Sequence, residues 1–357
     1  MSTLANWFGV MRGFLEAQCT IYGVPLVVVD VLAWIGAGIF LLALITVVSL
    51  AAIYIERKIS GYMQSRLGPV RCGPIGLFQT GADALKLLQK EDIVPAHADK
   101  LLHLIGPVIF LVATLLMFVV IPWDRGVNVA RWLDLEIGLL YLVAVSGIGV
   151  LGIVAGGWGS NNKWSLLGAL RGAAQLISYE IPFILAGLCV VLQAQSLSLS
   201  AMVEHQQAGL FHWYLWLPWL WLPLIIFVIA GIAEVNRIPF DIPEAESELV
   251  AGFHTEYTGM KFGLFFLAEY GHLFVLGLLF AILFEGGWAS PFGGSSLPFE
   301  GFLWINLKAW LFVAVAVWIR WTLPRLRVDQ LMVFSWKMLI PAGFLAIFIV
   351  SVVLIWL

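Results

Sequence analysis

The sequence predicts an all-α integral membrane protein with about eight transmembrane helices and an amphipathic helix along the cytoplasmic side. Three observations carry that expectation. Of the 357 residues, 61% are hydrophobic and 11% are charged. Mean hydropathy is +0.97. Apolar stretches of about 20 residues, the length that spans a bilayer, recur along the whole chain. A soluble domain carries about 25% charged residues, so lipid must be the solvent for much of this surface. A net charge of −3 argues against a nucleic-acid partner. Cys19, Cys72 and Cys189 are scattered, which excludes a disulfide scaffold, and they form no metal-ligand spacing. No HExxH, Walker-type loop or nucleophile elbow occurs, so a bound metal is not expected.

The expected spans lie near 26–55, 102–121, 137–158, 174–194, 217–236, 261–284, 301–320 and 337–357, within one membrane domain, 1–357. The first exceeds what a bilayer needs at about 1.5 Å per residue and should tilt or project. It reads as a retained span, because no signal-peptide pattern precedes it. Residues 4–18, with Trp7, Phe8, Met11, Phe14 and Leu15, are too short to span and read as interfacial. Orientation follows from the basic residues. With the N-terminus outside, one face receives Arg57, Lys58, Arg66, Arg71, Lys86, Lys90, Lys100, Lys163, Arg171, Arg237, Lys261, Arg320, Arg325, Arg327 and Lys337. The other receives only Arg12, Arg125 and Arg131. The positive-inside rule then makes 56–101, 159–173, 237–260 and 321–336 cytoplasmic. Within 77–90, Leu77, Phe78, Ala84, Leu85 and Leu88 fall on one helical face and Asp83, Lys86 and Lys90 on another. This predicts a helix lying at the membrane surface or beneath a partner.

Gly147, Gly149 and Gly152 spell GxGxxG inside an apolar span. With no strand before them, close helix packing is the reading they support. The ionisable residues within spans matter more. Glu180 and Glu269 lie eight or nine residues in from the basic face, and Glu234 stands at the inner end of the fifth span. A charge at such depth is costly and usually faces protein interior or a water-filled cavity. Two readings stand. In one, each carboxylate is satisfied by Tyr179, Tyr270 or Arg237. In the other, the three form a hydrated, proton-exchanging chain. Lys308, eight residues into its span, either snorkels outward or has a function.

The segment 236–257, NRIPFDIPEAESELVAGFHTEY, adds Asp241, Glu244, Glu246, Glu248 and Glu256. Pro243 and glutamates in a first helical turn explain Glu244 and in part Glu246. The crowding of acids beside a membrane is not explained that way. It predicts a polar pocket in which they face Arg57, Lys58, Arg66, Arg71, Lys86 and Lys90 of the first loop. Gly61, Gly68, Pro69, Gly73 and Pro74 break regular helix in that loop. The long first span, the Gly/Pro loop and the amphipathic helix would together frame a lateral opening for a lipophilic ligand beside a proton path.

Four stretches carry a resemblance: ERKISGYMQSRLGPVRCGPIGLFQ at 56–79, ADALKLLQKED at 82–92, SYEIPF at 178–183, and EVNRIPFDIPEAESELVAGFHTEYTGMKFGLFFLAEY at 234–270. Through them the chain resembles the H subunit of respiratory complex I, the proton-translocating NADH:quinone oxidoreductase, from about residue 30 to the end. The stretch 196–217 and the first 25 residues stand apart from the motifs. The resemblance implies a membrane subunit of the bacterial cytoplasmic (inner) membrane, inactive alone, that joins a redox arm to a proton-pumping arm. It implies a quinone chamber that includes Glu56, Arg57, Arg66, Asp83, Lys86, Arg237 and Asp241. It implies an acidic coupling route through Glu244, Glu246, Glu248, Glu234, Glu180 and Glu269. Quinone is then the substrate and this chain holds no cofactor. NADH, FMN and the iron–sulfur clusters belong to other subunits. Hydrophilic quinone-site subunits are expected on the cytoplasmic side, with antiporter-like and small membrane subunits alongside. The alternatives are the related membrane anchor of energy-converting hydrogenases and a stand-alone ion-coupled transporter. The latter would require an inverted repeat, and no convincing one is present.

Overall fold

The computed structural model describes residue 13 and residues 26–124, 127–128, 135–292 and 300–356. Apart from Gly13, the expected interfacial segment 4–18 lies outside the described residues, as do Arg12, Arg125 and Arg131. Seven helical runs among the described residues are long and apolar enough to cross a membrane. They are α1 (Leu26–Met63), α3 (Lys100–Val120), α4 (Gly138–Gly159), α5 (Lys163–Ala194), α9 (Gly259–Phe284), α10 (Glu300–Thr322) and a last run. That last run joins α11 (Val328–Phe334), a π-helical turn (Ser335–Leu339) and α12 (Ile340–Trp356). The shorter α7 (Trp221–Glu234) follows a 3-10 turn at Pro218–Leu220. The amphipathic α2 (Gln79–Gln89), two short helices, α6 (Leu199–Glu204) and α8 (Glu246–Leu249), and a small hairpin of β1 (Pro122–Asp124) and β2 (Val127–Asn128) complete the order. The chain is thus an all-α membrane protein.

Helix boundaries depart from hydropathy where a charge has a partner. α5 begins at Lys163 and not near 174, running through Arg171, whose Nη1 donates to Glu248 Oε2 at 2.6 Å. The last run likewise passes through Lys337. α1, at 38 residues, is about 57 Å long at 1.5 Å per residue, well beyond a hydrocarbon core of about 30 Å. α7 is the short exception, ended at both sides by local chemistry. Pro218 leads its entry turn, and a left-handed Asn236 (φ 55°) closes it.

α9 is the hub, packing on α1, α3 and α10. In its most apolar window 78% of residues are buried, against 28% for α1, which leaves α1 on the lipid-facing periphery. α3 and α4 touch through glycine. A Cβ on Gly106 would come within 2.7 Å of Gly156 Cα, and one on Gly152 within 2.7 Å of the Phe110 backbone N. Gly149 and Gly152 of the GxGxxG string are therefore packing residues, as expected of small residues at membrane helix contacts.

Two local devices shape the region of interest. Pro182 within α5 has no N–H, so the Ser178 carbonyl loses its helical donor. Ser335 Oγ, from the π-helical turn, donates to that carbonyl at 2.7 Å, and Trp336 Nε1 donates to Ser178 Oγ at 3.2 Å. The proline and the π-turn thus complement each other across the helix contact. At the end of α7, Asn236 N–H reaches Ala233 O (3.2 Å) and Arg237 N–H reaches Ile232 O (3.3 Å). This double closure of a helix C-terminus around a left-handed residue turns Arg237 back into the bundle.

Candidate functional site

A cavity of about 400 Å³ opens between α1, α2 and α9. That size suits a small-molecule site. Its walls are mostly apolar, with Leu50 and Ile53 from α1, Leu87 from α2, and Phe262, Phe266 and Leu267 from α9. One region is polar, lined by Glu56, Arg57, Asp83, Lys86 and Tyr270. The Gly/Pro loop supports the cavity without lining it. Lys58 Nζ donates to Pro69 O at 2.8 Å and Tyr54 OH to Ile75 O at 3.1 Å. The far end of α2 is tied to the start of α9, where Ile93 N–H donates to Thr258 Oγ1 (3.0 Å) and Lys261 pairs with Asp92 (2.9 Å).

α2 presents its faces differently from the simplest amphipathic reading. Asp83 turns toward α1, where Arg57 Nη1 donates to it at 2.6 Å, with Lys86 Nζ at 3.8 Å. Leu77, Phe78, Leu85 and Leu88 remain exposed. Asp83 is satisfied by the cation on α1 and so looks inward, while Lys86 and Lys90 stay exposed and Leu77, Phe78 and Leu85 are left for lipid or a partner.

Glu56 belongs to the cavity and also to a buried charge cluster. Its carboxylate accepts from Arg320 Nη1 (2.5 Å), Tyr270 OH (2.9 Å) and Arg237 Nη1 (3.5 Å). Arg237 lies over the Tyr270 ring at 4.2 Å, and its Nη2 is 3.1 Å from Glu269 Oε1. Arg325 Nη2 donates to Asp241 Oδ2 at 3.0 Å. Backbone chemistry sets this arrangement. Leu326 N–H donates to Pro239 O at 3.1 Å, bringing Arg325 beside Asp241. Gln175 Nε2 of α5 reaches Ala233 O (2.7 Å), Asn236 Oδ1 (3.0 Å) and Phe240 O (2.7 Å), clamping both sides of the Arg237 turn. A Cβ at Gly252 (φ 59°) would overlap the Pro243 carbonyl, so the loop closes only over glycine.

The electrostatics of the loop follow from burial. Arg237 is disfavoured as a charge by burial, but Glu269, Tyr270, Glu56 and Glu244 outweigh this and hold its guanidinium well above the usual range. Asp241 is pushed up by burial, against the opposing pull of Arg325 and Arg320. Glu244 is pushed up strongly, by burial first and then by repulsion from Glu269 and Asp241. His254 Nδ1 lies 3.7 Å from Glu244 Oε1, and burial pushes the imidazole down to about 4. Burial therefore favours the neutral form of both groups, so the contact is not a strong ion pair. Arg237, Arg320 and Arg325 face Glu56, Glu269, Asp241 and Glu244. This imbalance gives the cluster room for an exchangeable proton.

Glu180 and Glu234 form a second group. Two small cavities of about 20 and 10 Å³ are both lined by Glu234, Ser146 and His272, and the smaller one also by Glu180. Tyr179 does not satisfy Glu180, because its hydroxyl donates to Leu331 O at 3.0 Å.

The thirteen positions singled out from the sequence thus separate. Glu56, Arg57, Asp83 and Lys86 line the large cavity, Arg237, Asp241, Glu244 and Glu269 form the cluster behind it, and Glu180 and Glu234 share the small cavities. Arg66 is exposed and donates to Gln64 Oε1 at 2.6 Å, away from the cavity. Glu248 is a surface residue, 49% exposed in its ion pair with Arg171. The side chain of Glu246 lies outside the described residues. The expected pairing of these acids with the first loop is corrected for Asp241, Glu244 and Glu248. Their partners are Arg325, His254 and Arg171, while Arg57 is taken by Asp83 within its own loop region. Outward snorkelling of Lys308 is also corrected. Its ammonium donates to the carbonyls of Glu285 (2.6 Å), Gly287 (2.8 Å) and Ala289 (2.9 Å), capping the end of α9 beneath the Trp213 ring. Gln175, His254, His272, Arg320 and Arg325 escaped sequence reasoning. Their roles depend on partners far along the chain.

Comparison with known proteins places the chain in a family. The family model described as NADH dehydrogenase matches residues 35–351. The H subunit of the NADH-quinone oxidoreductase of Chlorobaculum parvum is 49% identical over 339 residues, covering 90% of this chain and 94% of that protein. Its counterpart in Chlorobium luteolum is 47% identical over 99% of this chain and 95% of its own length. That of Brevibacillus brevis is 47% identical over 90% and 93%. With this identity over nearly the whole chain, and a model match across its apolar helices, the protein belongs to the H-subunit family of NADH-quinone oxidoreductases.

Proposed function

We propose that this subunit forms the entry and chamber for quinone and couples quinone reduction to proton pumping through buried carboxylates. The observation that carries this reading is the double membership of Glu56. It lines the 400 Å³ cavity and also accepts from Arg237, which reaches Glu269. A change of charge at the cavity is thereby felt in the buried cluster by direct contact. The cavity's apolar walls suit an isoprenoid-type tail, and its polar residues suit a carbonyl headgroup. Quinone takes up two electrons from partner subunits and two protons to become quinol. The anionic charge created before protonation draws on the nearby arginines and raises the proton demand on the cluster. Linkage then transmits the change as a coupling free energy between sites, with the carboxyls titrating as a group.

In this reading 1–357 is one membrane domain of eight spans in the bacterial cytoplasmic membrane, with the N-terminus outside. Residues 56–101 and 237–260 face the cytoplasm and meet hydrophilic quinone-site subunits there, against the exposed Leu67, Ile75, Phe78 and Leu85. Antiporter-like and small membrane subunits lie alongside. NADH, FMN and iron–sulfur clusters reside in other subunits, so the chain is inactive alone. The test is Glu180→Gln and Glu234→Gln in the assembled complex, reading NADH:quinone reductase rate and proton uptake into vesicles. Loss of proton uptake is the expected result. Unchanged reductase rate and proton uptake in both variants would remove the acidic route from the mechanism.

A further inference from the structure

The acidic route as described has a gap. Glu269 is held by Arg237 in the cluster behind the large cavity. Glu180 and Glu234 line separate small cavities that do not include Glu269. One residue stands next to both groups. His272 lies three positions after Glu269 on α9, so the two side chains are neighbours on one helix surface at about 5–6 Å between Cβ atoms. His272 also lines both small cavities, beside Glu234 from α7 and Ser146 from α4 in each, and Glu180 from α5 in one.

We propose that His272 is the proton-exchanging link between the arginine-held cluster and the Glu180–Glu234 pair. The proposal rests on the coupling function above and names a residue outside the motifs that carry the family resemblance. Three features of the site support it. The cavities, of about 20 and 10 Å³, approach or exceed the roughly 10–15 Å³ that one water requires. Their polar lining offers the two or more hydrogen-bonding partners that keep such a water in place. Among the described residues no protein group hydrogen-bonds the His272 ring, so its nitrogens are available to the cavity and to the Glu269 side. Histidines in membrane bundles commonly hydrogen-bond a neighbouring helix, and among the described residues this one has no such partner.

The relay conserves protons at every step. One ring nitrogen accepts a proton from the Glu269 side while the other releases its own, by way of a cavity water, to Glu234 or Glu180. The imidazole ends neutral with its tautomer exchanged, and ring reorientation or reverse transfer resets it. A ring with two exchangeable positions suits this place, since α9 separates the two cavities from Glu269 by a full turn.

The experiment compares His272→Gln with His272→Glu in the assembled oxidoreductase reconstituted into vesicles. The two replacements have nearly the same shape, and only glutamate exchanges protons. Proton uptake per NADH is expected to fall at least about tenfold in His272→Gln, short of the ~100-fold that general acid–base groups often contribute because water can partly bridge the gap. His272→Glu is expected to recover a substantial part of it. Equal impairment of both would reduce His272 to a packing residue, and wild-type pumping in His272→Gln would overturn the proposal outright. Should both fail to assemble, Ser146→Val dries the same cavities from α4 without touching the ring. It is expected to lower proton uptake per NADH, and wild-type uptake there would also overturn the link. Glu234→Gln run in parallel separates the two levels. If it pumps normally the acidic route itself fails. If it does not pump while His272→Gln does, only the link fails.

Discussion

Arg320 and Glu56, 264 positions apart in sequence, meet at 2.5 Å beside the cavity. The contact closes α10 onto α1 and aligns the Glu56 carboxylate so that its other oxygen takes Tyr270 and Arg237. Removing one partner of a buried ion pair costs about 3–5 kcal/mol. The lower end applies here, because the Arg320 side chain is about a quarter exposed. Arg320→Gln should therefore lower the thermal stability of the purified complex. Its NADH:quinone reductase rate should fall at least about tenfold, the equivalent of ~1.4 kcal/mol of barrier. Arg320→Lys should be intermediate. Wild-type rates in both variants would detach the pair from catalysis.

The Glu244–His254 pair predicts a pH dependence of opposite signs on its two sides. Glu244 is raised in the fold, so it binds more protons folded than unfolded. Its contribution to stability is complete below its ordinary value of 4.5 and is lost as pH rises through the folded one. His254 is lowered from 6.5 to about 4, so its contribution is present above 6.5 and is lost as pH falls toward 4. In melting curves across pH, Glu244→Gln should flatten the decline on the alkaline side, and His254→Asn the decline on the acid side. A variant that flattened the other side would contradict the assignment of protonation states.

Lys308 uses its three donors on three carbonyls at the end of α9. Lys308→Met strands those carbonyls in a buried site, each costing about 1–3 kcal/mol. The expected outcome is loss of assembled complex or a large drop in melting temperature. A snorkelling lysine would be replaceable without such loss, so near-normal assembly would restore that view.

The Pro182–Ser335 relationship can be tested by a double-mutant cycle. Ser335→Ala leaves the Ser178 carbonyl without its 2.7 Å donor and should cost about 1–2 kcal/mol in unfolding measurements. Pro182→Ala restores a backbone N–H that competes for the same carbonyl. The double variant should therefore be more stable than the sum of the single effects predicts. Strict additivity would mean that the two features are unrelated.

Composition and patterning along the chain were enough for the solvent, the helical class and the existence of buried acids. A charge-poor, hydrophobic chain has few alternatives in lipid, where only internally bonded backbones span. Local spacing was also enough for α2, and Glu180, Glu234 and Glu269 were visible as charges in apolar runs. Helix ends at Lys163 and Trp221 were less legible, because hydropathy stops at charges or prolines while the helix follows partners and caps. Who pairs with whom follows only from how the helices come together. Asp241 takes Arg325 and not a first-loop cation, Lys308 caps α9, and His272 joins the company of Glu180 and Glu234. Burial is costly for every unpaired polar group, so pairing is settled by which helices approach each other. That approach depends on glycine contacts, a proline within α5 and a turned-back Arg237, whose combined geometry no local pattern encodes.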